Sequence, residues 1–413
     1  MTGSGGIRVF VFLTAILESM GIGIIGPVVP SLMQKFSSGG LSSVSALYGW
    51  WTAIYSIALF LSAPLMGQLA DRFGRRPVIL AGIAGAIVDY LVAATTHSLW
   101  LFLAARAMAG VFAAGGVAVQ AVIADVTSPQ ARARSFAMFG GAFGVGMIVG
   151  PPIGGFLGVF GPEGPFWAVA ALFGLDLAIG AVALKETLPA HERRALTLKT
   201  LNPVRSILGI GRFRIGAMII VSLLFQFGGT AADSVMVLFT QVRFGWNTGQ
   251  VGLYFSVLGV CMIISKVALT PFAVSRLGER RTILVGMFSF AVYSLVCGLI
   301  SQGWQMYVAL SVSLLGSVAP PTLTGVISRA AAARDQGELL GSLLSLQVAI
   351  GAVAALVGTA VFGYFTGPSA LVAMPGATFV LSSAIFAVAL LVAFYAKDGA
   401  AAPTSTLESR LSG

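Results

Sequence analysis

Long apolar runs separated by short polar turns follow one another along almost the whole chain. About 20 mostly apolar residues are enough for a helix to cross a bilayer, and the runs reach this length. The pattern therefore predicts an all-α membrane protein with twelve transmembrane helices. Numbered 1 to 12, the predicted helices cover residues 8–33, 45–70, 77–96, 100–126, 134–158, 166–185, 214–240, 249–274, 281–301, 305–328, 338–365 and 373–396.

The Lys and Arg residues of the loops fall almost entirely on one side of these helices. Loops rich in Lys and Arg face the cytoplasm, so both termini are predicted to lie there. The longest polar segment leaves six helices on either side. We therefore predict an N-terminal six-helix bundle (1–185), a cytoplasmic linker (186–213), a C-terminal six-helix bundle (214–397) and a cytoplasmic tail (398–413). The loop arginines on the predicted cytoplasmic side are Arg72, Arg75, Arg76, Arg132, Arg134, Arg276, Arg280, Arg281, Arg329 and Arg334.

One short motif occurs in both halves of the chain. Residues 276–281 (Arg-Leu-Gly-Glu-Arg-Arg) echo residues 72–76 (Arg-Phe-Gly-Arg-Arg) at an offset of 204 positions. Two matched six-helix bundles are typical of secondary transporters, which hold their substrate near the middle of the membrane between the two halves. The repeat therefore favours a transporter of a small molecule.

Composition excludes several other classes of protein. Of the 413 residues, 57% are hydrophobic and 9% are charged, against roughly 25% charged in a soluble domain. The net charge of +10 fits basic cytoplasmic loops, so no nucleic-acid partner is expected. Cys261 and Cys297 stand alone in apolar runs, which indicates neither a disulfide nor a metal site. Neither the catalytic cluster of an enzyme nor the repeated pore-lining motif of a channel is present in the sequence, and no cofactor is expected.

A dense charged turn lies between predicted helices 2 and 3. Charges at this density cannot lie in hydrocarbon. The turn reads Gly67-Gln-Leu-Ala-Asp71-Arg72-Phe-Gly74-Arg75-Arg76. This order of two glycines, one aspartate and three arginines resembles the loop between helices 2 and 3 of the major facilitator superfamily.

Further segments resemble the tetracycline-resistance branch of drug/H⁺ antiporters within that superfamily. They include residues 18–27 in helix 1, 88–90 in helix 3, 106–110 in helix 4 and 144–155 in helix 5. The resemblance implies a proton-coupled secondary transporter in the bacterial inner membrane, which exports an amphiphilic drug-like molecule in exchange for H⁺. Helix 5 also carries a glycine–proline signature typical of antiporters, which contains Gly146, Gly150, Pro151 and Gly154. The glycine spacing predicts close helix packing with a kink at Pro151 and Pro152, and packing and gating coincide if the helices rock.

The chain departs from that branch in its second half. The tetracycline exporters have an aspartate needed for transport in helix 9, where this chain has Phe290, while Asp233 and Lys266 stand where neutral residues are expected. Mg²⁺ is therefore expected as a partner only if the substrate is a metal chelate. Depth along helices 7 and 8 argues against an Asp233–Lys266 ion pair, and Lys266 either contacts an anionic group of the substrate or snorkels. The predicted substrate contacts are Glu18, Gln226, Asp233, Lys266 and Phe290.

Ionisable residues within the membrane are the candidates for proton coupling, because each one costs roughly 2.5–3.5 kcal/mol to place there. At about 1.5 Å per residue, Glu18 lies roughly 15 Å along helix 1 and Asp89 roughly 18 Å along helix 3, both near the membrane centre. The resemblance links Arg106 in helix 4 to proton transfer. The alternatives are a structural role for Asp89 and snorkelling of Arg106. Asp176 in helix 6 is predicted to be structural.

The resemblance also implies a charge latch at the cytoplasmic side. Asp71 would meet the positive N-terminal end of helix 11, and Asp125 would pair with loop arginines, which together would hold the outward-open state. The alternative is a loop that only sets the topology. The residues concerned are Gly67, Asp71, Arg72, Arg75, Arg76 and Asp125.

A second function stays open. Lys266 and Arg106 together are also compatible with a proton-coupled permease for an anionic metabolite. In either case the expected partners are a small-molecule substrate, protons and the lipid bilayer. The protein is expected to be a monomer, because its two halves complete one cavity.

Overall fold

The computed structural model describes residues 3–37, 39–128, 132–193, 216–329 and 336–396. Within these ranges, eleven helical segments are long and apolar enough to cross a membrane. One segment has 52 residues, more than twice the length that a bilayer requires. It turns at Gly278, where φ is 76° and ψ is 165°, and it therefore provides two spans. The predicted fold of twelve membrane helices is confirmed.

The helices are labelled so that their numbers match the predicted spans. They are α1a (Gly3–Ile25), α1b (Val29–Met33), α2 (Gly40–Phe73), α3 (Arg75–Thr95), α4a (Leu99–Ala113), α4b (Gly116–Asp125), α5 (Arg132–Gly158), α6 (Gly164–Ala183), α7a (Gly216–Asp233), α7b (Met236–Phe244), α8 (248–277), α9 (279–299), α10a (Gly303–Gly316), α10b (Ala319–Arg329), α11 (Gln336–Thr366) and α12 (Ala377–Tyr395).

Four of the predicted helices differ from expectation because each is interrupted. The interruptions lie at residues 26–28, 114–115, 234–235 and 317–318. Proline explains two of them: Pro27 and Pro320 lack the N–H that a continuous helix needs. Helices 1 and 7 hold corresponding places in the two bundles, and so do helices 4 and 10. The breaks therefore repeat between the halves.

Backbone geometry supports the repeat seen in the sequence. Gly74 has φ 106° and ψ 161°, and Gly278, 204 positions later, has φ 76° and ψ 165°. Side chains rarely tolerate positive φ, so glycine is the residue suited to both turns. Arg76 and Arg280 occupy equivalent places: their guanidinium groups donate to the carbonyl oxygens of Ala181 and Phe394, at 2.7 and 2.8 Å. Each arginine thus ties the beginning of one helix to the end of the last helix in its bundle.

Helix α5 has two glycine-lined faces that contact different bundles. One face carries Gly146, Gly150 and Gly154 and packs on α1a, where a Cβ on Gly150 would lie 2.6 Å from the Met20 carbonyl oxygen. The helix runs without interruption through Pro151.

The second glycine face of α5 packs on α8 of the other bundle. There a Cβ on Gly155 would lie 2.7 Å from the Thr248 carbonyl oxygen, and one on Gly252 would overlap the Pro151 carbonyl oxygen. Helices α2 and α11 also cross between the bundles, where the Ser45 hydroxyl donates to the Thr359 carbonyl oxygen at 2.6 Å. These contacts lie toward the membrane side opposite the turn at Gly74. We call the side of Gly74 the charged side.

The predicted division at residues 185, 213 and 397 stays a prediction. Much of the linker, from residue 194 to 213, and the tail 398–413 lie outside the described residues, as does Arg334 in the loop before α11.

Candidate transport site

A cavity of about 450 Å³ lies within the first bundle. Its walls come from helices α1a, α2, α3, α4a, α4b, α5 and α6, and most of its lining is apolar. The charged residues on these walls are Glu18, Asp89 and Arg106. Three residues predicted for proton coupling are therefore brought together, although they come from three helices and are separated in sequence by up to 88 positions.

Asp89 and Arg106 form an ion pair inside this cavity. Arg106 Nη1 donates to Asp89 Oδ2 at 2.9 Å, and the two side chains are 12% and 6% exposed. A buried charge must be paired, because each partner left alone costs several kcal/mol. The pair therefore fixes both side chains at the wall of the cavity.

Two aromatic rings of α2 enclose the Arg106 guanidinium. Its central carbon lies 3.8 Å from the ring centre of Trp51 and 4.3 Å from that of Tyr55. A cation held over an aromatic face away from water gains about 2 kcal/mol. The sequence reading missed this cage. The spacing of Tyr48, Trp51 and Tyr55 places all three on one helix face, and this spacing could have indicated the cage.

Replacement of Trp51 by leucine is expected to weaken the hold on Arg106. Loss of the ring should cost about 2 kcal/mol or more and should lower the transport rate together with the melting temperature. The adjacent Trp50 is 53% exposed, against 6% for Trp51, so Trp50→Leu is a matched control. Equal effects of the two substitutions on transport by purified protein in vesicles would contradict the proposed role of the cage.

Glu18 is half-buried on α1a and lines the same cavity. The described residues provide it with no ion-pair partner. It is thus a cavity carboxyl that a solute can approach, whereas Asp89 is already paired with Arg106.

The four predicted substrate contacts of the second bundle do not line this cavity. Phe290 packs into an aromatic cluster with Phe225 and Phe386, at ring-centre distances of 5.0 and 5.5 Å. The Gln226 amide donates to the Thr230 hydroxyl at 2.9 Å. An aromatic cluster therefore occupies the place of the helix 9 acid.

Asp233 and Lys266 are both exposed and are not paired with each other. Asp233 ends α7a beside the break. Lys266 lies in a π-helical turn, Ser265–Leu269. Such turns are frequent at functional sites. Sequence reasoning did not predict the π-helical turn.

The charged turn on α2 and α3 forms a network within the first bundle. Arg75 joins two acids, with Nη1 2.5 Å from Asp71 Oδ1 and Nε 3.7 Å from Asp125 Oδ2. Glu186, which the sequence reading did not single out, accepts the backbone N–H groups of Arg75 and Arg76 at 2.8 and 3.2 Å. A carboxylate at the first turn of α3 is favoured by the helix dipole. The first residues of the linker are therefore bound to the charged turn.

The predicted latch divides into two parts. Asp125 lies beside a loop arginine, Arg75, and Asp71 of α2 bonds to the same arginine of α3. Arg72 lies over the ring of Phe73. The side chains of the first residues of α11 lie outside the described residues, so the contact between Asp71 and helix 11 stays a prediction.

An ion pair between Lys35 and Glu163 lies at the side opposite the charged side, outside the membrane spans. The hydrogen bond from the Lys35 ammonium lowers the pKa of the Glu163 carboxyl. A lowered folded-state pKa stabilises the protein above the ordinary value of 4.5, and the stabilisation is lost as pH falls through the folded-state pKa.

We expect only a small effect from removing this pair, because exposed pairs contribute about 0–1 kcal/mol. Glu163→Gln should lower the melting temperature by at most about 2 °C at neutral pH and by nothing in acid. Thermal unfolding of both proteins at the two pH values tests this. A larger loss in acid than at neutral pH would contradict it.

Two six-helix bundles, with a buried ion pair and a free acid at a cavity inside the membrane, define a secondary transporter. The chain belongs to the Major Facilitator Superfamily, whose family model matches residues 11–356. The predicted membership of this superfamily is thereby confirmed.

Curated relatives include tetracycline resistance protein, class C, of Escherichia coli, which is 35% identical over 350 residues, 84% of this chain and 88% of that protein. The class G protein of Vibrio anguillarum is 35% identical over 330 residues, 80% and 84% of the two chains. The resemblance to the tetracycline-resistance branch is confirmed.

Solved structures share the fold. A D-xylose–proton symporter has a TM-score of 0.76 at 16% identity and covers 95% of this chain and 98% of its own. A human organic anion transporter has a TM-score of 0.70 at 23% identity, covering 95% and 100%.

Proposed function

We propose that the chain exports an amphiphilic, positively charged, drug-like molecule in exchange for protons. The observation that carries the proposal is the Asp89–Arg106 ion pair at the wall of the same cavity as the unpaired Glu18. The similarity to proteins named for tetracycline resistance supports an antibiotic or related drug as the substrate.

Because of the ion pair, protonation of Asp89 changes the contacts of Arg106. A proton on Asp89 removes the negative charge that holds Arg106, and the arginine is then held by aromatic rings alone. The two states of the site have different contacts, and a ligand or proton can shift a conformational equilibrium only through such a difference. Proton binding at Asp89 and substrate binding at Glu18 can thus favour opposite orientations of the cavity.

Charge favours a cation over an anion as the substrate. Arg106 is neutralised by Asp89, whereas Glu18 and Asp233 are acids without a partner among the described residues. The alternative of an anionic metabolite rests on Lys266 alone, because Arg106 is not available to an anion. Mg²⁺ takes part only if the substrate is a chelate of that metal.

The family and the loop charges support a proposed setting for the protein. The proposed protein is a monomer in the bacterial inner membrane, embedded in lipid, with both termini in the cytoplasm. It carries out transport without catalysis and without a cofactor.

Purified protein in vesicles provides the test. With an acidic interior, ethidium and tetracycline should accumulate as protons leave, and collapse of the gradient with an ionophore should abolish uptake. Uptake that is independent of the gradient, or selective for organic anions and lost in Lys266→Ala, would overturn the proposal.

A further inference from the structure

Asp176 is a second buried acid of the first bundle, and the ion pair described above does not use it. Its side chain lies in α6 and is 0% exposed. The Thr14 hydroxyl of α1a donates to Asp176 Oδ1 at 2.9 Å. The other oxygen, Oδ2, is buried and has no hydrogen-bond partner among the described residues.

The surroundings of Asp176 do little to stabilise its ionised form. One hydrogen bond from a neutral hydroxyl leaves most of the cost of burying the charge uncompensated. Helix α6 packs on α3, α1a and α5. The charged and titratable residues on these helices are Arg8 and Glu18 of α1a, Arg75, Arg76, Asp89 and Tyr90 of α3, and Arg132 and Arg134 of α5. Arg76 donates to the Ala181 carbonyl oxygen of α6, and no basic side chain among the described residues forms an ion pair with Asp176. Asp176 therefore lacks a basic partner in the described part of the chain, and a bound proton removes its charge.

Thr14 connects Asp176 to the cavity. Thr14 and Glu18 are four residues apart on α1a and so lie on the same helix face. Glu18 lines the cavity, and the negative charges of Glu18 and Asp176 repel each other. A proton can therefore reside on either member of this pair of acids.

The positions of the acids along their helices indicate a direction for proton transfer. Asp89 lies fourteen residues from the charged-side end of α3 at Arg75, about 21 Å, and Asp176 lies seven residues from the charged-side end of α6 at Ala183, about 10 Å. The bond from Arg76 to the Ala181 carbonyl oxygen shows that this end of α6 meets the charged turn. Asp176 therefore lies nearer the charged side than Asp89 does.

We propose that Asp176 is a further proton-carrying residue, which receives a proton from Glu18 through the Thr14 hydroxyl and passes it toward the charged side. This inference rests on the proposed function. As the Glu18 carboxyl proton moves to the Thr14 oxygen, the Thr14 hydroxyl proton moves to Asp176 Oδ1. Glu18 is left ionised, Thr14 keeps one proton, Asp176 becomes neutral, and no electrons are transferred.

Asp176→Asn is the decisive variant, because asparagine keeps an oxygen for the Thr14 hydroxyl but cannot carry a proton. Gradient-driven ethidium uptake should fall on the order of 100-fold, as for loss of a positioned proton-transfer group, and its dependence on pH should flatten. Exchange of ethidium across vesicles at equal pH, which needs no net proton movement, should be retained. The carboxylic C=O band assigned to Asp176 should disappear from infrared difference spectra.

A pair of substitutions at Thr14 tests the relay without altering the acid. Thr14→Val removes the hydroxyl and should slow gradient-driven uptake, whereas Thr14→Ser retains it and should be close to wild type. If Asp176→Asn does not fold, equal uptake by the two Thr14 variants overturns the inference.

Two outcomes separate the inference from the proposed function. A wild-type protein without gradient-driven uptake overturns both of them. A gradient-driven wild type whose Asp176→Asn variant retains its uptake and its pH profile, with only a changed melting temperature, overturns the inference alone and leaves Asp176 a structural residue.

Discussion

Asp89→Asn is expected to abolish gradient-driven transport. Asp89 is the only acid that pairs with Arg106 in the described residues, and asparagine in its place cannot take up a proton. The site then no longer has a protonated and an ionised state. The substitution also leaves the buried guanidinium without a counter-charge, which costs roughly 3–5 kcal/mol. Uptake of ethidium into vesicles of acidic interior should therefore fall to the level of protein-free vesicles, and the melting temperature should fall with it.

A second substitution separates the loss of the proton site from the loss of stability. Asp89→Asn/Arg106→Gln removes both charges, so it should recover much of the stability while transport stays absent. Glu163→Gln, at an exposed pair outside the spans, should transport normally and serves as the control. Gradient-driven uptake by the double variant would show that protons are carried elsewhere and would remove the ion pair from the mechanism.

The sequence alone predicts those features that depend on runs of neighbouring residues. Span number follows from apolar length, and the turn at Gly74 follows from charge density next to a glycine that reaches a φ of 106°. The repeated turn at Gly278 can likewise be predicted from neighbouring residues. These features need no knowledge of which helices touch.

The contacts of the site cannot be predicted in this way, because they depend on how each helix is rotated and at what depth it crosses its neighbours. Asp89, Arg106 and Trp51 belong to three helices, and no local pattern states that their side chains meet. The bond from the Thr14 hydroxyl to Asp176 joins two helices in the same way. The interruption at residues 114–115 contains no proline, so the local sequence does not predict it.

Gly252→Ala is expected to shift the balance between the two orientations of the bundles. A Cβ at this position would overlap the Pro151 carbonyl oxygen of α5, across the contact between the bundles. Overpacking of this kind costs about 1–3 kcal/mol, and the cost applies only while that contact is closed. The shift should therefore be about 5–150-fold toward the state in which α5 and α8 separate on this side.

Gly154→Ala gives the matched contrast. Its Cβ would overlap the Ile24 carbonyl oxygen of α1a, within one bundle, so the cost applies to both orientations and lowers stability without changing their balance. At Gly229, on α7a, an added Cβ would meet no atom within 4 Å. Gly229→Ala is therefore the neutral control.

Labelling of a single cysteine can measure the balance between orientations. Ser45 is 0% exposed and bonds across the bundles to Thr359, so Ser45→Cys should react with a thiol reagent only when the bundles part. In a background in which Cys261 and Cys297 are replaced, Gly252→Ala should speed this labelling, whereas Gly154→Ala and Gly229→Ala should not. Because a rocking transporter must break the α5–α8 contact in every cycle, unchanged labelling in Gly252→Ala would mean that this contact is not part of the moving interface.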